Sequence, residues 1–181
     1  MSDSIQTMED ALKAVSPGTD LRSALDMILA ADTGALICIG DAEEVLKLSS
    51  GGFVIDVPFT PNRLFELAKM DGAIILDAHA RRILRANTHL TPTDDFETKE
   101  TGMRHRTAMR MCVQTDTLAI TVSQRRNVVS LYFGGESEML TKSGSAFPQA
   151  KVTLLAMQNA RDVLDREIAR LSQLVVDEQE A

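Results

Sequence analysis

Tryptophan is absent from this chain, and aromatic residues make up only 4% of it. Single-strand nucleic-acid binders stack bases on aromatic side chains, so that kind of platform is excluded. A core must instead be assembled from Leu, Ile, Val, Ala and the nine Met. Cysteine is nearly as scarce. Cys38 lies in an apolar run and Cys112 in a helical one, and neither shows ligand spacing with the other or with His79, His89 and His105. A disulfide framework and a structural zinc are thereby excluded, and two small buried thiols suit a reducing, cytoplasmic setting. No apolar run approaches the ~20 residues that span a bilayer. The start, Met1-Ser2-Asp3-Ser4-Ile5-Gln6, carries neither the basic nor the apolar region of a signal peptide. What remains is 181 residues, 44% of them hydrophobic, enough for one globular domain with its own core and an appended helix.

Periodicity then lays out the elements. Met8, Leu12 and Val15 repeat at helical spacing up to the breaker Pro17-Gly18, and Thr19 or Asp20 caps a second helix bearing Leu21, Leu25, Ile28 and Leu29. Ala35–Ile39 reads as a buried strand, residues 42–48 as a short helix, and Ser49-Ser50-Gly51-Gly52 as a loop before a strand at 53–57. Pro61 behind Thr60 opens a helix that ends near Met70. Apolar runs at 74–76, 83–90, 118–123, 128–133 and 139–140 complete about seven strands, and from Pro148 a long helix keeps the seam Met157, Leu164, Ile168, Leu171 and Val175. Hairpins and helical crossovers occur together. The expected class is α/β with a mixed, mostly antiparallel central sheet flanked by helices.

Charge singles out one segment. From Gly102 to Gly135 there are five Arg against one acid, Asp116, a local charge of +4, which leaves −11 for the rest of a chain at −7. Within it, Gly102-Met103-Arg104-His105-Arg106-Thr107 reads as a loop entering a helix. Free backbone N–H groups at a helix start attract anions, and Arg and His add donors, so a small phosphorylated ligand is the reading favoured over a nucleic acid coating. A solvated Arg-rich face is the alternative. Asp71-Gly72-Ala73 sets a carboxylate and bare backbone at the mouth of a strand, although Asp-Gly also ends helices and makes tight turns. Ser123, with Gln124, Arg125 and Arg126, repeats the pairing of a hydroxyl with Arg at a strand end.

In that order and spacing, Asp71-Gly72-Ala73, Arg104-His105-Arg106 and Ser123 with Arg126 resemble the diadenylate cyclase (DAC) domain of the DNA-integrity scanning protein DisA family. Ser16-Pro17-Gly18-Thr19, Thr33-Gly34-Ala35, Gly51-Gly52-Phe53 and Ala86-Asn87 extend the match over about residues 15 to 140. The resemblance implies a DAC domain over 1–147 and the start of a helical spacer over 148–181. It also implies condensation of two ATP into cyclic di-AMP and two pyrophosphates, at the two-fold interface of a homo-oligomer: a dimer of facing domains, or an octamer. It assigns Asp71 to a Mg or Mn ion and to the neighbourhood of the attacking hydroxyl. Gly72 goes to the ribose and adenine edge, and Leu90 to the base. Gly102, Met103, Arg104, His105 and Thr107 fall at the phosphates, with Arg106 either joining them or pairing with an acid across the dimer. Ser123, Gln124 and Arg126 fall at the β- and γ-phosphates.

Two positions depart from the family pattern. Met103 stands where Thr is usual, and Gln124 where Arg or Lys is common, so altered ATP affinity is expected. A domain that holds ATP or cyclic di-AMP without turnover, as sensor or scaffold, is the second reading; a structural module assembled by its long helix is the third. The scanning proteins continue into a DNA-binding module for which this chain has no room, and its tail Asp177-Glu178-Gln179-Glu180 is acidic. DNA binding is therefore not expected of it, whether the chain is an excised domain or a short relative.

Overall fold

Helices begin where a short polar side chain precedes apolar periodicity. Thr7 accepts from the Asp10 amide at 3.1 Å and opens α1 (Met8–Ala14). Thr19, rather than Asp20, caps α2 (Asp20–Ala30) by accepting from the Arg22 amide at 3.2 Å. Asp41 caps α3 (Ala42–Lys47), and Thr60 caps α4 (Pro61–Ala68), whose first residue is the proline that needs no amide partner. Among the five helices described between residues 5 and 140, α5 (Met103–Gln114) alone starts on a residue without a side-chain cap, Gly102.

The computed structural model describes residues 5–140 together with Met157, Arg161, Leu164, Asp165 and Ile168. The chain divides into two compact units, Met1–Thr141 and Lys142–Ala181. In the second unit the five described residues are helical, and Arg161 meets Asp165 at 3.8 Å. The remainder of the expected helix over 148–181 lies outside the described residues.

The first unit is built on β1 (Ala35–Ile39), β2 (Ser49–Ser50), β3 (Phe53–Pro58), β4 (Ala73–Leu76), β5 (Arg82–Leu90), β6 (Leu118–Ser123), β7 (Val128–Phe133) and β8 (Glu136–Leu140). The strands join in one sheet, ordered β2-β5-β4-β1-β6-β7-β8 with β3 also on β5. Only β1 and β4 pair in parallel; the other pairs are antiparallel. The strand beyond the expected seven is Ser49–Ser50, which pairs Ser49 with Leu90 and Ser50 with His89. Two serines beside two glycines carry no apolar alternation, so this short edge pairing has no sequence signal.

All five residues of β1 are buried, because both faces of the sheet are covered. Ala35, Ile37 and Ile39 join Leu25, Ile28 and Leu64 in one cluster, on the α1, α2 and α4 side. Leu36 and Cys38 turn to the other face and pack with Val45 of α3 and Ala108, Met111 and Cys112 of α5. Both cysteines are free and buried, and desolvation raises both thiols, Cys38 to about 12.

The topology gathers loops at one end of the sheet. β1 and β4 both start there while antiparallel β6 ends there; Ala35 is registered with Val122, and Leu36 with Ala73. Thr33-Gly34, Asp71-Gly72 and Ser123 therefore share one sheet end. Between the β4 and β5 partners the register shifts at Ala73/Ile75, and Asn87, with φ of 54°, supplies the left-handed residue of this bulge.

Candidate functional site

α5 starts at this sheet end, and its first-turn amides lack a capping side chain. Twelve residues of helix stand behind them, with basic side chains around the opening and no acid in the first turn. Such an end favours an anion.

Arg104 leaves the first turn of α5 and reaches the Asp71 carboxylate at 3.2 Å. It crosses over Gly34: a Cβ built there would sit 2.4 Å from Arg104 Nη1 and 3.2 Å from the Val122 carbonyl oxygen. Gly34 is thus the gap through which Arg104 lies across the β1/β6 edge. The Gly72 amide first, and then the Arg104 guanidinium, hold the Asp71 carboxyl below its ordinary range. Asp71 is ionised at neutral pH. Its side chain is 93% exposed, so the pair is a solvated contact and not a buried lock.

Gly72 has φ of +85°, and a Cβ there would meet the Asn87 carbonyl carbon at 2.8 Å and the Thr88 amide nitrogen at 3.0 Å. Glycine is required for both conformation and space. The bulge at Asn87 is what brings the β5 backbone against Gly72, so the carboxylate and bare backbone expected at the strand mouth are both in place.

Two open cavities flank the start of α5. One, of about 280 Å³, is bordered by Asp32, Thr33, Lys69, Asp71, Arg104 and Gln124. The other, of about 640 Å³, is bordered by His89, Leu90, Asp94, Met103, Arg106, Thr107 and Arg110. Leu90 presents little surface to it, being 7% exposed and mostly part of the core, whereas Met103 is 77% exposed. Ser123 and Arg126 stand beside the same helix start: the Ser123 hydroxyl accepts from the Arg126 amide at 3.4 Å, and Arg126 Nη2 donates to Thr101 Oγ1 at 3.4 Å. Of the residues expected at the site, Asp71, Arg104 and Gln124 border the smaller cavity and Leu90, Met103, Arg106 and Thr107 the larger; Gly72, Gly102, His105, Ser123 and Arg126 border neither.

Arg110 is already occupied within the fold. It donates to the Phe96 carbonyl at 3.3 Å and pairs with Asp94, while Gln114 and Thr93 exchange two bonds at 2.9 and 3.0 Å. These contacts strap the 91–98 loop to α5, which holds the wall of the larger cavity.

His105 turns inward. Its Nδ1 lies 2.6 Å from the Tyr132 hydroxyl and 3.1 Å from Thr121 Oγ1, and burial lowers its pKa. Tyr132, Thr121 and Thr101 are not among the residues expected at the site, and Gly34 and Asn87 enter only as part of the family match. A signal existed for the first two: Tyr132 is the chain's one tyrosine, and Thr121 interrupts an apolar strand.

Two carboxylates, Asp71 and Asp32, border the smaller cavity. Among the described residues no three His, Cys, Asp or Glu cluster as ligands. Mg²⁺ characteristically binds through one or two carboxylates plus substrate phosphates and keeps several waters. An exposed, ionised Asp71 beside a phosphate-sized opening fits a metal that arrives with a nucleotide.

Comparison with known proteins places the chain in a family. The family model described as DisA bacterial checkpoint controller nucleotide-binding, DAC, matches residues 22–137. A DNA integrity scanning protein DisA from Symbiobacterium thermophilum is 48% identical over 167 residues, covering 92% of this chain and 48% of that protein. Its counterpart from Carboxydothermus hydrogenoformans is 44% identical over 168 residues, 93% of this chain and 48% of that one. The chain spans about half the length of these relatives. Among solved structures, a hypothetical membrane spanning protein from Bacillus cereus superposes with a TM-score of 0.62 at 23% identity, covering 75% of this chain and 72% of the other. DacA from Staphylococcus aureus gives 0.54 at 22% identity, over 72% and 88%. These two share the fold. No helix among the described residues is long and apolar enough to cross a membrane.

Proposed function

The chain belongs to the DAC family of DisA-type nucleotide-binding domains, and on that premise we propose that it is a diadenylate cyclase, condensing two ATP into cyclic di-AMP. The observation that carries the proposal is Arg104 bridging Asp71 and the uncapped start of α5. Carboxylate and guanidinium thereby meet beside a helix end whose first amides carry no side-chain cap.

In the proposed reaction the 3′-oxygen of each nucleotide bonds to the α-phosphorus of the other. The bond from that phosphorus to the β-phosphate bridging oxygen breaks, pyrophosphate leaves, and the hydroxyl proton is lost. Two such events close the ring. The product is two-fold symmetric, so two facing copies of this site present the nucleotides head to tail, and neither copy alone is complete. Homo-oligomerisation, as the facing dimer or a larger assembly, is part of the proposal.

Asp71 is the residue that would hold Mg or Mn. A bound divalent cation would supply charge neutralisation and a lowered hydroxyl pKa. The chain's own groups account for binding. Gly72 lets ribose and adenine approach the backbone, Leu90 packs against the base, and Thr107 joins the groups at the phosphates. The α5 amides with Arg104 and His105 receive the reacting phosphate. Ser123 and Arg126 steady the departing pyrophosphate, where preorganised donors lower the barrier most. Gln124 supplies no charge there and Met103 no hydroxyl, which sets the expectation of weakened ATP binding.

The test is incubation of the chain with ATP and Mg²⁺ or Mn²⁺, with chromatography of the products and Asp71→Asn as the control. Cyclic di-AMP from the wild type and none from the variant is the expected result. ATP binding without product at any protein concentration sinks the cyclase reading and leaves the non-turnover sensor.

A further inference from the structure

The geometry points to Tyr132 and Thr121 as positioning residues that fix His105 in one neutral tautomer, Nδ1 bare and Nε2 carrying the proton, so that its free edge is a hydrogen-bond donor. The inference rests on the proposed reading only in placing that edge at a phosphate.

Two hydroxyls converge on one ring nitrogen, Tyr132 at 2.6 Å and Thr121 at 3.1 Å. Both residues are 1% exposed, on neighbouring strands β7 and β6, beneath the first turn of α5. The Tyr132 ring meets the imidazole edge-on, with centroids 6.1 Å apart. On the opposite side, a Cβ at Gly102 would lie 3.0 Å from His105 Cδ2, so the ring is held between the sheet and the helix cap.

Hydrogen-bond accounting chooses the tautomer. A buried hydroxyl proton needs an acceptor, and a bare imidazole nitrogen is a strong one. With Nδ1 protonated, the ring would donate to one oxygen, and both hydroxyl protons would have to turn elsewhere. Elsewhere means Thr121, Ser130 and Glu100, which also face the phenol, but the short contact is to the ring. The single Nδ1 lone pair takes the phenol proton at 2.6 Å, and the Thr121 hydroxyl bonds the phenol as well. Burial keeps the phenol protonated, pushed up to about 12, so it remains a donor. Desolvation also depresses His105, the largest influence on it, with Glu100 raising it and Arg126 lowering it. A neutral ring with its only base site occupied from below is no general base for the attacking hydroxyl. Nε2, which makes no hydrogen bond among the described residues, is left to donate.

The readout is the side-chain ¹⁵N spectrum of the three histidines, with His105 assigned by His105→Gln, alongside ATP turnover. In the wild-type chain His105 is expected to show an unprotonated Nδ1 and a protonated Nε2. Tyr132→Phe, which keeps the ring, should give a mixture of tautomers, a kcat lower by about 10- to 100-fold and an ATP KM within about twofold. Thr121→Val should move the same signals less. A protonated Nδ1 in the wild type overturns the inference. So does a Tyr132→Phe variant that keeps the single tautomer and full kcat. Should the wild type make no cyclic di-AMP, the reaction proposal falls while the spectrum still decides the tautomer.

Discussion

Replacing Gly34 and Gly72 by alanine should separate binding from stability, because the added methyl meets different things. At Gly34 the nearest atom is the tip of the Arg104 side chain, 2.4 Å away, followed by the Val122 carbonyl oxygen at 3.2 Å. A flexible guanidinium moves aside at small cost. The smaller backbone adjustment is offset by the ~0.4–1 kcal/mol that alanine gains over glycine through the unfolded chain. Net stability should change by less than about 1 kcal/mol. The displaced Arg104 also gives up Asp71, an exposed pair worth roughly 0–1 kcal/mol. It can no longer reach a phosphate, and a hydrogen bond to a charged group is worth about 1.5–3 kcal/mol, so ATP affinity should fall about 10- to 150-fold. At Gly72 the methyl strikes Asn87 and Thr88 backbone at 2.8 and 3.0 Å, with φ at +85°. Conformational strain of ~1–3 kcal/mol and overpacking of ~1–3 kcal/mol give about 2–6 kcal/mol of lost stability. Urea unfolding reads this as a midpoint lowered by roughly 1–3 M, and calorimetric titration with ATP reads the other arm. If Gly34→Ala binds ATP like the wild type, or loses as much stability as Gly72→Ala, the placement of Arg104 over Gly34 is wrong.

Met103→Thr restores a hydroxyl at the helix start and should tighten ATP binding by about 2- to 10-fold; an unchanged Michaelis constant would remove Met103 from the account of weakened affinity. Arg110→Ala frees the 91–98 loop from Phe96 and Asp94, so limited proteolysis should cut that loop faster while the urea midpoint barely moves; equal cutting rates would show that the Gln114–Thr93 bonds suffice. The depressed His105 pKa has a sign: the folded state resists the proton that the unfolded chain accepts near pH 6.5, so stability is full above that value and falls as pH drops through the window down to the folded pKa. Urea midpoints at about pH 7.5 and 5.5 should therefore drop further for the wild type than for His105→Gln, and equal drops would mean that burial does not disfavour the charged ring.

Most of the fold was legible because it rests on local rules. Thr60-Pro61 and Thr19 mark helix starts by chemistry that acts within one turn, and the runs at 35–39, 118–123 and 128–133 are apolar enough to require burial on both faces. Ser49–Ser50 was not legible, since its pairing is chosen by β5 and not by its own side chains. Asp71-Gly72 carried two readings, a helix end and a site, and the fold shows how the first serves the second. α4 stops at Ala68, and the turn that follows is what delivers the carboxylate to the sheet end.

The site was legible as residues but not as charge. Five Arg set the segment's net charge, but the fold distributes them unequally. Arg110 is taken by Asp94 and a loop carbonyl, and Arg104 is shared with Asp71. Arg126 leans on the Thr101 hydroxyl, a neutral partner it can leave without exposing a charge. What an incoming phosphate meets is therefore set by exchange. Arg104 leaves the carboxylate for the phosphate, and Asp71, released, is left ionised beside it. Because each move favours the other, nucleotide and divalent cation should bind with positive coupling. Titration of Mn²⁺ with and without a non-hydrolysable ATP analogue measures that coupling directly. Equal Mn²⁺ affinity in the two titrations would mean that Arg104 and Asp71 do not exchange partners when the site fills.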